Sequence, residues 1–264
     1  MTDKMILRVK AGLSWGFMIH VPFQTASPQP IPYPPPTTLV GALAAAYARW
    51  KDYPETLLFN GRPYSFAVRL LLDKMVYYVS AGYPYGGVVL YRDLMRVLAL
   101  PYLQQKTPDY WFSVQAFGKA YTPTILDIVY LVDRNYCDEL ASTAWGINRI
   151  GSREGMVSIK SVELYDPCKC IVEEDIVETP YYVPVRLVEP YRSCEVYPMW
   201  KLDPLVYTNV SPKDYYKITE YYVVPVGLGI YGGKMIVKPK DNALTVDIGG
   251  EKLVLPRDLI GCIS

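Results

Sequence analysis

Asn148-Arg149-Ile150-Gly151-Ser152-Arg153-Glu154-Gly155-Met156-Val157-Ser158 is the stretch whose surroundings decide the fold. Upstream, residues 138–148 place Leu140, Ala144 and Ile147 on one side of a helix. Before that helix, 124–133 is a dense strand pattern built from Ile125, Leu126, Ile128, Val129, Tyr130, Leu131 and Val132. Downstream, 156–164 reads as a second strand. The unit is therefore strand, helix, glycine loop, strand. The loop itself has two readings. It is an ordinary turn, or it is a phosphate cradle in which glycines bare the backbone and Arg149 and Arg153 supply planar charged forks.

Working back towards the N-terminus, 5–20 reads as strand with a break near Ala11-Gly12, and Ile6, Arg8 and Lys10 alternate only partly with Leu7 and Val9. His20, the single histidine, closes that region. Pro28-Gln29-Pro30-Ile31-Pro32-Tyr33-Pro34-Pro35-Pro36-Thr37-Thr38 must run extended. Thr37 or Thr38 then caps a helix carrying Leu39, Leu43, Tyr47 and Trp50 on one side and glycine and alanines elsewhere. The start of that helix is either an anion site or only a capped helix with a rigid lead-in. Residues 64–73 and 74–80 read as a hairpin. The order strand, helix, two strands, helix, strand is an α+β, ferredoxin-like (RRM-type) plan for 1–165.

Residues 86–119 form an insertion in that plan. Arg92, Arg96, Lys106 and Lys119 alternate there with Tyr91, Tyr102, Tyr110, Trp111 and Phe112. Such a mixture suits an RNA backbone and its bases, or an insertion that packs on its own subunit or a neighbour. From 166 to 264 proline recurs between short β-rich runs, with strands expected at 221–226, 234–238, 244–248 and 252–255. This is a β-rich C-terminal module or a β extension of the first domain. Gly227-Leu228-Gly229-Ile230-Tyr231-Gly232 fits a dinucleotide fingerprint, but a strand pattern follows where a helix is required, so a hairpin turn is expected.

Composition narrows the function. A chain with 51% hydrophobic and 20% charged residues folds, and 25 Tyr with 23 Pro favour strands and stiff connections. A net charge of +1 argues against a free-standing basic nucleic-acid binder but allows a local basic groove. No secretory pattern opens the chain and no apolar run approaches the roughly 20 residues of a membrane span. The expectation is a soluble, cytoplasmic protein. Five scattered cysteines do not suggest a disulfide framework, and Cys168-Lys169-Cys170 with one histidine does not suggest a metal site. No cofactor is expected.

Two segments together carry a family resemblance. Tyr33-Pro34-Pro35-Pro36-Thr37-Thr38-Leu39-Val40-Gly41-Ala42-Leu43 resembles the proline-rich lead-in and first helix of the CRISPR-associated "Cas-five" proteins of the RAMP superfamily. Ile150-Gly151-Ser152-Arg153-Glu154-Gly155-Met156-Val157-Ser158 resembles their later glycine loop and strand, most like the archaeal type I-A branch. The resemblance implies a RAMP-type ferredoxin-like domain in a Cascade surveillance complex. Such a subunit binds the 5′ handle of crRNA, caps a backbone of repeated subunits, and touches that backbone through a β-hairpin thumb, here about 86–119. The large or small subunit is a further implied partner. By position, Tyr33, Thr37, Thr38, Arg149, Gly151, Ser152 and Arg153 would lie at the handle. One branch of the family cuts precursor crRNA without metal, using Tyr, Lys and His. This chain has no visible Lys-His pair, so the expectation is binding without catalysis, with a metal-independent endoribonuclease as the alternative.

Overall fold

The computed structural model describes residues 3–22, 28–59, 61–98, 112–122, 124–151, 155–207, 215–227 and 230–262. Its first strand, β1 (Lys4–Leu13), has an interior on each side. Leu7, Val9 and Ala11 point into one apolar cluster, while Ile6 and Arg8 point to the opposite face and are also buried. The weak alternation in the sequence has this cause: the strand separates two interiors, not an interior from water.

The N-terminal region runs β1, β2 (Gly16–Phe17), α1 (Pro36–Trp50), β3 (Thr56–Phe59), β4 (Arg62–Ser65), α2 (Ala67–Leu72), β5 (Val76–Gly82), β6 (Gly87–Leu98), β7 (Phe112–Tyr121), β8 (Ile125–Asp133), α3 (Cys137–Ala144) and β9 (Val157–Tyr165). The central sheet has the order β5-β8-β1-β9 with every pair antiparallel. Without its insertions the chain reads β-α-β-β-α-β, and the first and third core strands lie at the centre. That is a ferredoxin-like core. Helices α1 and α3 cover one face, filled by Leu39, Leu43, Tyr47 and Leu140 against Leu7, Val9, Ile128 and Tyr130.

Two local expectations are corrected. Residues 64–80 are not a hairpin, because α2 intervenes between β4 and β5. A short apolar run has no period that separates a buried strand from one turn and a half of helix. Here Ala67 and Leu70, three residues apart, both bury, and Phe66 stacks on Tyr47 with ring centres 6.1 Å apart. The first helix also starts earlier than its threonines. Pro35 is the N-cap and Pro36 the first helical residue, with no side-chain cap. Proline suits that position because its φ is already helical and its missing N–H is not needed there.

The C-terminal region adds β10 (Ile171–Val172), β11 (Val177–Thr179), β12 (Val183–Pro184), β13 (Val188–Arg192), β14 (Cys194–Trp200), β15 (Thr219–Gly227), β16 (Ile230–Gly232), β17 (Met235–Pro239), β18 (Ala243–Asp247) and β19 (Lys252–Pro256). It extends the first domain. One sheet runs β12-β15-β16-β6-β7-β2 and so joins C-terminal strands to the 86–119 insertion. Gly227 and Ile230 pair across a hairpin, as the strand pattern after the glycines requires. Strands β18 and β19 lie over the outer face of the central sheet, where Leu244, Val246, Leu253 and Leu255 meet Ile6, Tyr78, Val129 and Leu131.

A buried ion pair fastens this second layer. The Arg8 Nε donates to both carboxylate oxygens of Asp127 at 3.1 Å, and its Nη2 lies 2.6 Å from Oδ2. The Tyr181 hydroxyl donates to Asp127 at 3.1 Å, and Arg8 also donates to the Ile248 carbonyl. Charges this deep persist because each is paired and its remaining positions are hydrogen-bonded. A disulfide joins Cys168 to Cys262, a single bridge that the scattered cysteines did not suggest. The two are 94 residues apart in sequence, and the fold sets their Cα atoms 5.7 Å apart. Spacing alone could not reveal a pair that distant.

Candidate nucleic-acid interface

Helix α1 has an open side. Leu39, Leu43, Ala46 and Tyr47 bury against the sheet, leaving Thr38, Gly41, Ala42, Ala45 and Arg49 along another flank at helical spacing. The glycine loop faces that flank. Val157 donates its N–H to Asn148 at 3.0 Å, and Ile150 donates to Gly155 at 2.8 Å, so the loop is closed at its neck. Ile150 is fully buried beneath it. Gly151 has φ +75°, and a Cβ there would sit 3.0 Å from the Ile19 side chain. Only glycine takes that conformation without strain.

Between helix and loop lies a cleft of about 260 Å³, lined by Thr38, Gly41, Ala42, Ala45, Arg49, Asn148, Arg149 and Gly151. The Gly151 Cβ position is 3.9 Å from Thr38 Cγ2, so the two motifs meet directly. Small helix residues leave the floor free for a close backbone or base. Arg49 donates to the Gly146 carbonyl at 3.2 Å and pairs with Glu55 at 3.0 Å. Arg149 is exposed and has no ion-pair partner among the described residues. Ser152 and Arg153 lie outside the described residues.

Tyr33 and Thr37 are placed differently from Thr38. Tyr33 is fully buried, donates its hydroxyl to the Pro225 carbonyl at 3.0 Å, and lies 5.0 Å from the Tyr83 ring. Desolvation pushes its pKa well up, so it stays a neutral donor. The Thr37 carbonyl accepts from Tyr207 at 2.7 Å, and the Pro34 carbonyl accepts from Tyr182 at 3.2 Å. These tyrosines come from the C-terminal region and roof the start of α1. Of the two readings of the helix start, the geometry favours the rigid lead-in: that end is covered and the flank is open.

The insertion is an antiparallel hairpin, with β6 and β7 paired from Val89↔Tyr121 to Leu98↔Phe112. Arg92 is exposed on it. Lys119 is not a projecting cation: it is buried, 2.9 Å from Asp93, with its ammonium 5.6 Å from the Trp15 ring centre. Arg96 lies in β6 opposite Val114. Lys106 lies outside the described residues.

No family model matches the chain. A protein of Saccharolobus solfataricus named CRISPR system aCascade subunit Cas5 1 is 30% identical over 199 residues, covering 72% of this chain and 77% of that protein. The chain belongs to the Cas5 family. CRISPR-associated protein Cas5 2 of the same organism is 29% identical over 235 residues, covering 85% of this chain and 84% of its own length. The crystal structure of a CRISPR protein from Archaeoglobus fulgidus superposes with a TM-score of 0.56 at 19% identity, over 96% of this chain and 99% of that one. That likeness is one of fold.

In this Cas5 protein the lone histidine serves the lead-in. His20 Nε2 lies 3.0 Å from the Gly118 carbonyl, and His20 bridges Pro30 by backbone pairing. Burial lowers its pKa, which favours the neutral ring as a donor to that carbonyl. Among the described residues no cluster of three or more His, Cys, Asp or Glu could hold a metal. Of the residues lining the Cas5 cleft, sequence reasoning assigned Thr38, Arg149 and Gly151 to the site and missed the small residues Gly41, Ala42 and Ala45 and the polar Arg49 and Asn148. Arg49 was legible: it continues the 38, 41, 45 spacing by one more turn. Asn148 belongs to the loop's neck, whose direction only the fold sets.

Proposed function

We propose that this Cas5 protein is a cytoplasmic, non-catalytic subunit of a type I-A Cascade surveillance complex that grips the 5′ handle of crRNA. The observation that carries the reading is the cleft in which Thr38 and Gly151 face each other with Arg149 on the rim. Its floor of glycine and alanine admits a backbone closely, and a guanidinium on the rim offers a bidentate partner to phosphate. The outer face of the sheet, which RNA-recognition folds use for stacking bases, is largely covered here by β18 and β19. That leaves the helix–loop edge as the natural place for a single-stranded terminus. The β6–β7 hairpin would act as the thumb, contacting a repeated backbone subunit, while the surface beyond it would meet the large or small subunit. The subunit would thereby cap the backbone and serve antiviral defence.

The test is handle binding across a salt series. Arg149→Ala with Arg153→Ala is expected to weaken binding and make the salt dependence shallower by about 1.4, the share of two phosphate contacts on a single strand. An unchanged affinity and slope would remove the glycine loop from the site. Cleavage of precursor crRNA by the purified chain, lost in His20→Ala, would instead favour an endoribonuclease.

A further inference from the structure

The outer face of the central sheet is not covered along its whole length. Strands β18 and β19 close over Ile6, Tyr78, Val129 and Leu131. At the other end of β1 and β9 the face opens into a depression of about 370 Å³, lined by Gly12, Ser14, Tyr85, Thr124, Ser158 and Lys160 among others. We propose that this open end is a second contact surface for the same single-stranded RNA, continuing the path that begins in the helix–loop cleft. The proposal rests on the RNA-binding reading of that cleft.

Four features make the surface suited to a polynucleotide. The β1–β9 ladder carries a bulge: Lys10 pairs with Ser161 and Ala11 with Ile159, so Lys160 is the extra residue. A bulge re-aims a side chain without ending the strand. Gly12 accommodates the result, because a Cβ there would sit 2.8 Å from Lys160 Cε. Lys10 lies two residues before Gly12 and so on the same face. Neither lysine has an ion-pair partner among the described residues, whereas Lys234 nearby is taken by Glu251 at 3.0 Å.

Tyr85 supplies a platform. It is 67% exposed, and its backbone is anchored: it follows Pro84, its carbonyl accepts from Thr124 at 3.5 Å, and the Tyr83 carbonyl accepts from Gly233 at 3.0 Å. An exposed ring on a fixed backbone stacks a base with little further ordering. Ser14, Ser158 and Thr124 add hydroxyls that can meet a ribose 2′-OH. The two surfaces also share an edge. Met156 bridges Arg149 of the cleft, and its carbonyl accepts the Ser14 N–H at 3.1 Å. A strand leaving Gly151 crosses that edge and arrives at Ser158 and Lys160.

The experiment compares crRNA binding by the full chain and three variants over a salt series. Tyr85→Ala with Lys160→Gln is expected to weaken binding at least about fivefold, the low end for one stacked base, and to make the salt slope shallower by about 0.7. Lys160→Arg, which keeps the charge, is expected to retain affinity. Gly41→Trp, which fills the cleft, separates the two readings. Loss in Gly41→Trp with no change in the Tyr85 and Lys160 variant overturns the second surface and leaves the cleft. No change in either variant, or no binding by the unaltered chain, overturns both. A single DNA strand of the same sequence gives the last arm. Loss confined to RNA assigns the hydroxyls to the ribose, and equal loss with DNA assigns the surface to lysine and ring alone.

Discussion

Arg8 and Asp127 show what one residue can decide. Both are buried, and together with Tyr181 they tie the central sheet to the C-terminal layer. Asp127→Ala leaves the buried guanidinium only the distant, partly exposed carboxylate of Glu163, 4.0 Å away, and is expected to destabilise the fold by about 3–5 kcal/mol in denaturant titration. Arg8→Met together with Asp127→Ala should recover much of that loss, since an apolar pair removes the buried charge altogether. If the double variant is no more stable than the single one, the penalty lies elsewhere. Gly41 makes the opposite case. No atom lies within 4 Å of a Cβ built there, so Gly41→Ala is expected to stabilise α1 by about 1 kcal/mol in thermal melts. The sequence displayed Gly41 and Arg149 plainly. It did not disclose that Tyr33 is interior, because a tyrosine between prolines has the same composition whether it meets a ligand or a core.

Among the elements, the proline-rich lead-in depends on the base of the hairpin. Gly118 donates its N–H to the Pro28 carbonyl at 3.1 Å, and a Cβ at Gly118 would stand 2.2 Å from Pro30 Cδ. Gly118→Val is therefore expected to push the lead-in off β7, free His20 from its carbonyl, and lower the melting temperature by several degrees, the scale of a loss of about 1–2 kcal/mol. Nuclear magnetic resonance of the single histidine reads this directly: an imidazole that titrates as before would show the lead-in still seated. Strong elements were legible from their periods. The 124–133 and 156–164 strands and the α1 helix appear within a residue or two of where the pattern put them. The α2 helix was not legible, since six apolar-rich residues cannot complete two helical turns and so leave no periodic signature.

At the scale of the whole molecule, the C-terminal region is a second layer on the sheet and a roof over the start of α1, not a detached module. The Cys168–Cys262 bridge closes 94 residues over it. Cys262→Ser is expected to remove about 4–5 kcal/mol of stability under oxidising conditions, by restoring entropy to the unfolded chain. With reductant present the variant and the parent should melt together; a difference that persists would assign the effect to packing at Cys262. The order of the ferredoxin-like core and the presence of a glycine loop after its second helix followed from the sequence alone. They are local: hydrophobic period, proline and glycine act within a few residues of one another. Tertiary structure alone decided which flank of α1 is open, which tyrosines are interior, which cysteines meet, and how much of the outer sheet face remains bare. Each of those depends on contacts between segments far apart in the chain, and burial is a property of the closed surface, not of any stretch that contributes to it.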